Sequence, residues 1–204
     1  ADGTVSLVNH LGIELGNDGP LDSVVDVSRR MAAGNFDFSL ESGGKDEAAA
    51  VFGAVMTVKN AGVSGDTSTA GRARLNWVLA GLKTKPDLVI LELGANDMLR
   101  GQDPAITKTN IDAMLTELGK RGIPVILAGM RASPNLGANY AKQFDALFGA
   151  LAAKHKVRLY PFFLDGVAAT PKLQLADGMH PNAAGVAVIV KRILPTVEAA
   201  LGPK

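Results

Sequence analysis

The sequence predicts an α/β fold in which a parallel β-sheet carries helices on both faces. Short runs of Leu, Val and Ile have the composition of strands that are buried on both sides. Longer segments between them have apolar residues at helical spacing, and the two patterns alternate from about residue 58 onward. A length of 204 residues, without a linker or repeat in that region, predicts one domain over residues 1–204.

Five segments have the pattern of strands. The clearest is Leu88–Leu93, which Pro86 precedes and Gly94 ends. A second run, Ile123–Ala128, has Pro124 near its start, where a missing N–H is tolerated. The other three are Thr4–Val8, Thr57–Asn60 and Val157–Tyr160.

Helical spacing fills the intervals between these strands. In Asp103–Arg121, Pro104 suits the first turn and Gly122 the end of a helix. The other segments with helical spacing are Glu47–Met56, Arg72–Leu82, Tyr140–His155 and Asn182–Leu201. Residues 9–57 are otherwise atypical, because their scattered Gly, Asp and Asn have no clean period.

The composition excludes several classes of function. Lys and Arg number 21 against 20 Asp and Glu, and this net charge of +1 gives no reason to expect nucleic acid or an anionic membrane as partner. The absence of cysteine excludes disulfides, a thiolate nucleophile and a zinc–thiolate site. Only three histidines argue against a multi-histidine metal centre, and the apolar runs are too short for a membrane span.

The segment Asp177-Gly-Met-His180-Pro-Asn182 lies directly before the last predicted helix. An Asp and a His three residues apart across a glycine-containing turn can bring the carboxylate against one imidazole nitrogen. The other nitrogen can then take a proton from a hydroxyl group. Taken alone, these residues are also typical of a helix-capping turn with a surface histidine.

Two further segments follow predicted strands and open helices. Asn96 comes directly after Leu88–Leu93, where its side-chain amide can donate a hydrogen bond to a developing oxyanion. Gly65 lies in the Gly-containing segment 60–68 and allows a tight turn that presents a backbone N–H. Both segments are also compatible with ordinary capped turns. Segment 60–68 lacks the spacing and the lysine of a phosphate loop, which excludes a nucleotide site there.

Four blocks in a fixed order carry a family resemblance. They are N-A-G-V-S-G-D-T-S (60–68), L-E-L-G-A-N-D-M-L-R-G (91–101), P-F-F-L-D-G-V (161–167) and D-G-M-H-P-N (177–182). On these blocks the chain from about Thr57 to Val197 resembles the SGNH (GDSL) hydrolases. The similarity is greatest to the bacterial branch of arylesterases and of enzymes like thioesterase I and lysophospholipase L1.

The resemblance implies a three-layer α/β/α fold with a flavodoxin-like sheet, and hydrolysis of ester or thioester bonds in small acyl or aryl substrates. In the Ser-His-Asp triad that it implies, His180 is the general base and Asp177 its orienting carboxylate. Gly65 and Asn96 would supply the N–H donors of the oxyanion hole. The resemblance implies no metal or organic cofactor. It also implies a periplasmic or secreted protein, although the composition is equally compatible with the cytoplasm.

The nucleophile of this family lies in a G-D-S-L block after the first strand, and this sequence has no such block. Ser39 is our favoured candidate, because Ser39-Leu-Glu-Ser-Gly43 keeps part of the pattern and precedes a predicted helix. The alternatives are Ser23 and Ser28, whereas Ser6 lies inside the first predicted strand, which is too early in the chain for the nucleophile. Two further interpretations stay open. The first is that the chain is a catalytically inactive acyl- or carbohydrate-binding relative. The second is that residues 9–57 are a divergent or misread segment of an otherwise intact enzyme.

Overall fold

The structure is a computed structural model that describes residues 3–8, 37–40 and 56–202, with side chains from residue 59 onward. Two candidate nucleophiles, Ser23 and Ser28, lie outside the described residues. The same holds for the predicted helix Glu47–Met56 apart from Met56, which is the first residue of a strand.

One sheet of six strands organises the described part of the chain. The strands are β1 (Gly3–Val8), β2 (Asp37–Leu40), β3 (Met56–Asn60), β4 (Leu88–Glu92), β5 (Val125–Ala128) and β6 (Arg158–Tyr160). Their order across the sheet is β2-β3-β1-β4-β5-β6. Strand β2 is antiparallel to β3 at one edge, and the other neighbouring strands are parallel. All five predicted strands are present with ends within two residues of those expected, whereas β2 was not predicted.

The parallel strands have the flavodoxin order. Counted along the chain as β1, β3, β4, β5 and β6, they lie across the sheet as second, first, third, fourth and fifth. The order reverses between β1 and β4, which pair from Val5 opposite Leu88 to Val8 opposite Leu91. Folds of this type bind their ligands beyond the carboxyl ends of the two strands at which the order reverses.

Five α-helices lie in the described part of the chain. They are α1 (Ser68–Ala80), α2 (Ala95–Leu99), α3 (Pro104–Lys120), α4 (Ala138–His155) and α5 (Ala183–Leu201). Helices α1, α3 and α5 begin after Thr67, Asp103 and Asn182, because each of these side chains accepts a hydrogen bond from a backbone N–H of the first turn. The cap at Thr67 explains why the helix predicted over Arg72–Leu82 begins at Ser68. None of these helices is long and apolar enough to cross a membrane.

The helices cover both faces of the sheet, as the side chains of β4 show. Val89 and Leu91 pack in one apolar layer with α1, α3 and α4, and Leu88 and Ile90 pack in a second layer with α5. Successive strand residues point to opposite faces, so both layers bury β4 and its sequence is continuously apolar up to Glu92. The predicted three-layer α/β/α fold with a flavodoxin-like parallel sheet is confirmed.

Candidate active site

The first part of the candidate site is the turn from β4 into α2. Gly94 has a φ of +114°, and a Cβ there would lie 3.2 Å from Thr107 Cγ2 and 3.3 Å from Phe148 Cζ. The positive φ favours glycine, and a Cβ would also crowd these two side chains. The glycine allows α2 to begin directly after the strand. Asn96 in this helix is half-buried. It lies at the edge of the sheet formed by the carboxyl ends of the parallel strands, where folds of this type bind ligands.

The second part is the loop Ala61–Thr67 between β3 and α1. Gly65 has a φ of +85° within it. Arg74 of α1 fixes the shape of the loop, because its guanidinium donates to the Ala61 carbonyl and forms an ion pair with Asp66. At the start of the loop, the Gly62 N–H donates to Asn60 Oδ1 over 2.7 Å. The backbone around Gly65 is therefore held from both ends.

Hydrogen bonds join the loop directly to α2. Asn96 Nδ2 donates to the Asp66 carbonyl oxygen over 3.0 Å, and Arg100 Nη2 donates to the Gly65 carbonyl oxygen over 2.7 Å. The structure thus brings together the two residues that were predicted as oxyanion-hole donors, Gly65 and Asn96.

A buried carboxylate that the sequence analysis did not single out lies beneath this junction. Asp97 is fully buried, and its side chain accepts hydrogen bonds from Ser68 and Thr107. The signal that could have found it is its place next to Asn96, directly after a strand that is buried on both faces.

The third part is the turn Asp177–His180, between β6 and α5. Asp177 Oδ2 lies 2.6 Å from His180 Nδ1, and Oδ1 accepts from the backbone N–H groups of Met179 (2.9 Å) and His180 (3.0 Å). Gly178 makes this close turn possible, since its φ is +68°. The carboxylate therefore orients the imidazole through Nδ1, and Nε2 is on the side of the ring that points away from Asp177.

The segment before α5 holds this turn in place. The Leu175 N–H donates to the His180 carbonyl oxygen over 2.7 Å, and Asn182 Nδ2 donates to the carbonyls of Lys172 (2.9 Å) and Gln174 (3.2 Å). Asn182 also caps α5 through its Oδ1. The Asn182 side chain therefore fixes both the start of α5 and the segment that leads into the turn.

The hydrogen bond from the His180 side chain, followed by the two backbone N–H groups, lowers the pKa of Asp177 from 3.8 to about 2. Because the pKa is depressed in the folded state, the stabilisation from this carboxylate is fully present above about pH 4 and is lost as the pH falls toward 2. We expect a carbon-detected NMR titration of the Asp177 carboxyl group to give a midpoint near 2. In a His180→Ala variant the midpoint should rise toward 3.8, and a wild-type midpoint at 3.8 would contradict the pairing.

Ser39 lies short of the carboxyl edge of the sheet, where Gly65 and Asn96 lie. Its backbone lies in the antiparallel edge strand β2, with Thr57 of β3 as its partner. Three further residues of β3, about 10 Å of strand at about 3.3 Å per residue, separate Thr57 from the carboxyl end of the strand. Ser6 lies inside β1, as the predicted strand required. Within residues 59–202, no three His, Cys, Asp or Glu side chains lie close enough together to hold a metal ion.

Comparison with known proteins identifies close similarities. The model of the GDSL-like lipase/acylhydrolase family matches residues 32–188. The chain is 42% identical over 141 residues to the esterase TesA of Pseudomonas aeruginosa, covering 69% of both chains. It is 35% identical over 152 residues to thioesterase 1/protease 1/lysophospholipase L1 of Escherichia coli K12, covering 71% of this chain and 72% of the relative.

Solved structures show the same similarity. A crystal structure of TesA superposes with a TM-score of 0.74 at 34% identity, over 97% of this chain and 99% of that one. The structure of AlinE4, an esterase of the SGNH-hydrolase family, superposes with a TM-score of 0.66 at 36% identity, over 99% and 98% of the two chains. The similarity therefore extends over the whole architecture of the sheet and its helices.

Proposed function

The chain belongs to the GDSL-like lipase/acylhydrolase family, and we propose that it hydrolyses carboxylic ester or thioester bonds. Its substrates are small acyl or aryl compounds, and the reaction passes through a serine ester intermediate. The observation that carries the proposal is the pair of Asp177 and His180, joined over 2.6 Å beyond the carboxyl end of β6. A histidine held in this way by a carboxylate is the general base that a serine nucleophile needs.

The proposed reaction has two halves. His180 Nε2 removes the proton of the serine hydroxyl, and the serine oxygen attacks the carbonyl carbon of the substrate. The Gly65 N–H and Asn96 Nδ2 stabilise the oxyanion that forms, and the protonated His180 then donates its proton to the leaving alcohol or thiol. In the second half, His180 removes a proton from water, which attacks the acyl-serine. The acid leaves as the serine regains its proton.

Apolar side chains close in sequence to these groups support an acyl or aryl substrate. Val63 (48% exposed), Leu99 (51%) and Met179 (48%) are large apolar residues on the surface. Each lies within three positions of a proposed catalytic group, namely Gly65, Asn96 or His180. Exposed apolar groups that recur beside polar catalytic groups suit a substrate with an apolar body and a polar scissile bond. Met98, by contrast, is buried in the core.

The nucleophile that the sequence favours is Ser39, with Ser23 and Ser28 as alternatives. The position of Ser39 in β2, short of the carboxyl edge of the sheet, weighs against it. We expect a fluorophosphonate probe to label one serine, because only a serine with an activating base reacts with such probes. Trypsin cleavage after Arg30 and Lys45 places Ser39 in a different peptide from Ser23 and Ser28, and fragmentation of the labelled peptide in the mass spectrometer identifies the serine within it.

A second candidate function is that of a non-catalytic acyl- or carbohydrate-binding protein on the same fold. The missing G-D-S-L block favours it. The same labelling experiment separates the two functions: folded protein that stays unlabelled and does not hydrolyse a short-chain nitrophenyl ester would support the binding protein. For the hydrolase we propose a small ester or thioester as substrate and no nucleic-acid partner. Its location is periplasmic or secreted, as the family resemblance implies.

A further inference from the structure

Asp97 is a buried carboxylate for which the proposed reaction has no use. Its residue is 0% exposed. Oδ2 accepts a hydrogen bond from the Ser68 backbone N–H over 2.7 Å, and Oδ1 accepts from Ser68 Oγ and from Thr107 Oγ1, the latter over 3.1 Å. A carboxylate is costly to bury, and these donors compensate for the lost water.

The partners of Asp97 belong to two other helices. Ser68 is the first residue of α1, directly after the loop that contains Gly65, and Thr107 lies in the first turn of α3. Asn110 of α3 adds a second connection, since its Nδ2 donates to Ser68 Oγ (3.1 Å) and to Thr69 Oγ1 (2.9 Å). Asp97 therefore joins the beginnings of three helices at the edge of the sheet where Gly65 and Asn96 lie.

Helix α2 cannot hold Asn96 in place by itself. It has five residues, and its N-cap, Gly94, provides no side-chain hydrogen bond. A helix of this length is far below the length that is stable alone, so its orientation depends on tertiary contacts. Asp97 supplies such contacts from the residue that directly follows Asn96.

We propose that Asp97 is the positioning residue of the oxyanion hole, which holds α2 and the Gly65 loop so that the two N–H donors face one point. The inference rests on the proposed function. Misplacing a catalytic group by about 1 Å costs about 10²-fold in rate, so a firm anchor for α2 has a direct effect on kcat. Substrate binding in the ground state depends less on these donors, because the oxyanion exists only during the reaction.

The chain offers a matched pair of variants on α3. Thr107→Val removes a hydroxyl that donates to Asp97, whereas Thr109→Val removes an exposed hydroxyl that bonds to Ala105 in its own helix. With a nitrophenyl ester as substrate, we expect Thr107→Val to lower kcat about 3- to 10-fold with KM within about twofold. Thr109→Val should leave both constants unchanged. Equal kcat in the two variants would overturn the inference.

A larger effect is expected for Asp97→Asn. The amide can still accept from the Ser68 N–H, but its NH₂ group replaces the oxygen that both hydroxyls approach. We expect kcat to fall about 10- to 100-fold at a temperature where the variant is folded. This kcat is expressed per active serine, and the active serines are counted by complete reaction with a fluorophosphonate. A merely structural role would lower Tm and leave kcat per titrated serine unchanged.

The connection to Asn96 is tested by a double-mutant cycle. If Asp97 acts by positioning Asn96, Asp97→Asn should lower kcat much less in an Asn96→Ala background, because the amide it positions is gone. The same fold-loss in both backgrounds would contradict the inference. A wild-type chain that neither hydrolyses the ester nor accepts the probe would contradict the proposed function itself. If Asp97→Asn does not fold, the comparison of Thr107→Val with Thr109→Val decides the question.

Discussion

Replacing His180 with Ala is expected to lower kcat for a short-chain nitrophenyl ester by about 10⁴-fold or more. Without the imidazole, no group is left to take the serine proton or to return a proton to the leaving group. Asp177 cannot substitute for it, because even an unperturbed carboxyl pKa of 3.8 makes it a poor base at neutral pH.

A second histidine in the chain provides the control. His155 also pairs with a carboxylate, its Nε2 lying 2.6 Å from Asp112 Oδ1, but it does so at the end of α4, away from the proposed site. His155→Ala should leave kcat and KM unchanged, and its circular dichroism and that of His180→Ala should match the wild type. Hydrolysis by His180→Ala at the wild-type rate would rule out His180 as the general base.

The fold could be predicted where sequence patterns reflect burial. Strand β4 was identified because layers on both sides of the sheet make Leu88–Leu91 continuously apolar. Strand β2 was not, because an edge strand pairs on one side only, and the four residues Asp37–Leu40 contain little that distinguishes them from a loop. The same difference explains why Ser39 was expected in a turn before the predicted helix, whereas the structure places it within a strand.

The candidate site could be predicted where its contacts are local. Asp177 and His180 are three residues apart, so the turn alone brings them together, and the sequence pattern contains the whole interaction. Asp97 could not be recognised in this way. Its partners Ser68 and Thr107 are 29 and 10 residues distant in the chain, and their convergence depends on how three helices meet at one edge of the sheet.

Replacing Asn96 with Ala is expected to lower kcat about 10²- to 10³-fold, equivalent to roughly 3–4 kcal/mol of transition-state stabilisation. KM should change little, because the hydrogen bond to the oxyanion forms only as the carbonyl becomes tetrahedral. Asn96 is the donor of choice for this measurement. The other proposed donor is the backbone N–H of Gly65, which a side-chain substitution does not remove, and any side chain there would be strained at a φ of +85°.

Asn76→Ala provides the control for this prediction, because Asn76 is an exposed asparagine of α1 whose Oδ1 accepts from Arg121 Nη2 over 2.7 Å. It should retain wild-type kcat. The second-order rate constant of fluorophosphonate labelling should fall in Asn96→Ala in parallel with kcat, since the phosphonyl oxygen occupies the oxyanion hole. The inhibition constant of the product acid should stay the same. A rise in KM with kcat unchanged would instead mean that Asn96 binds the substrate equally in the ground state and the transition state, and would contradict its assignment to the oxyanion hole.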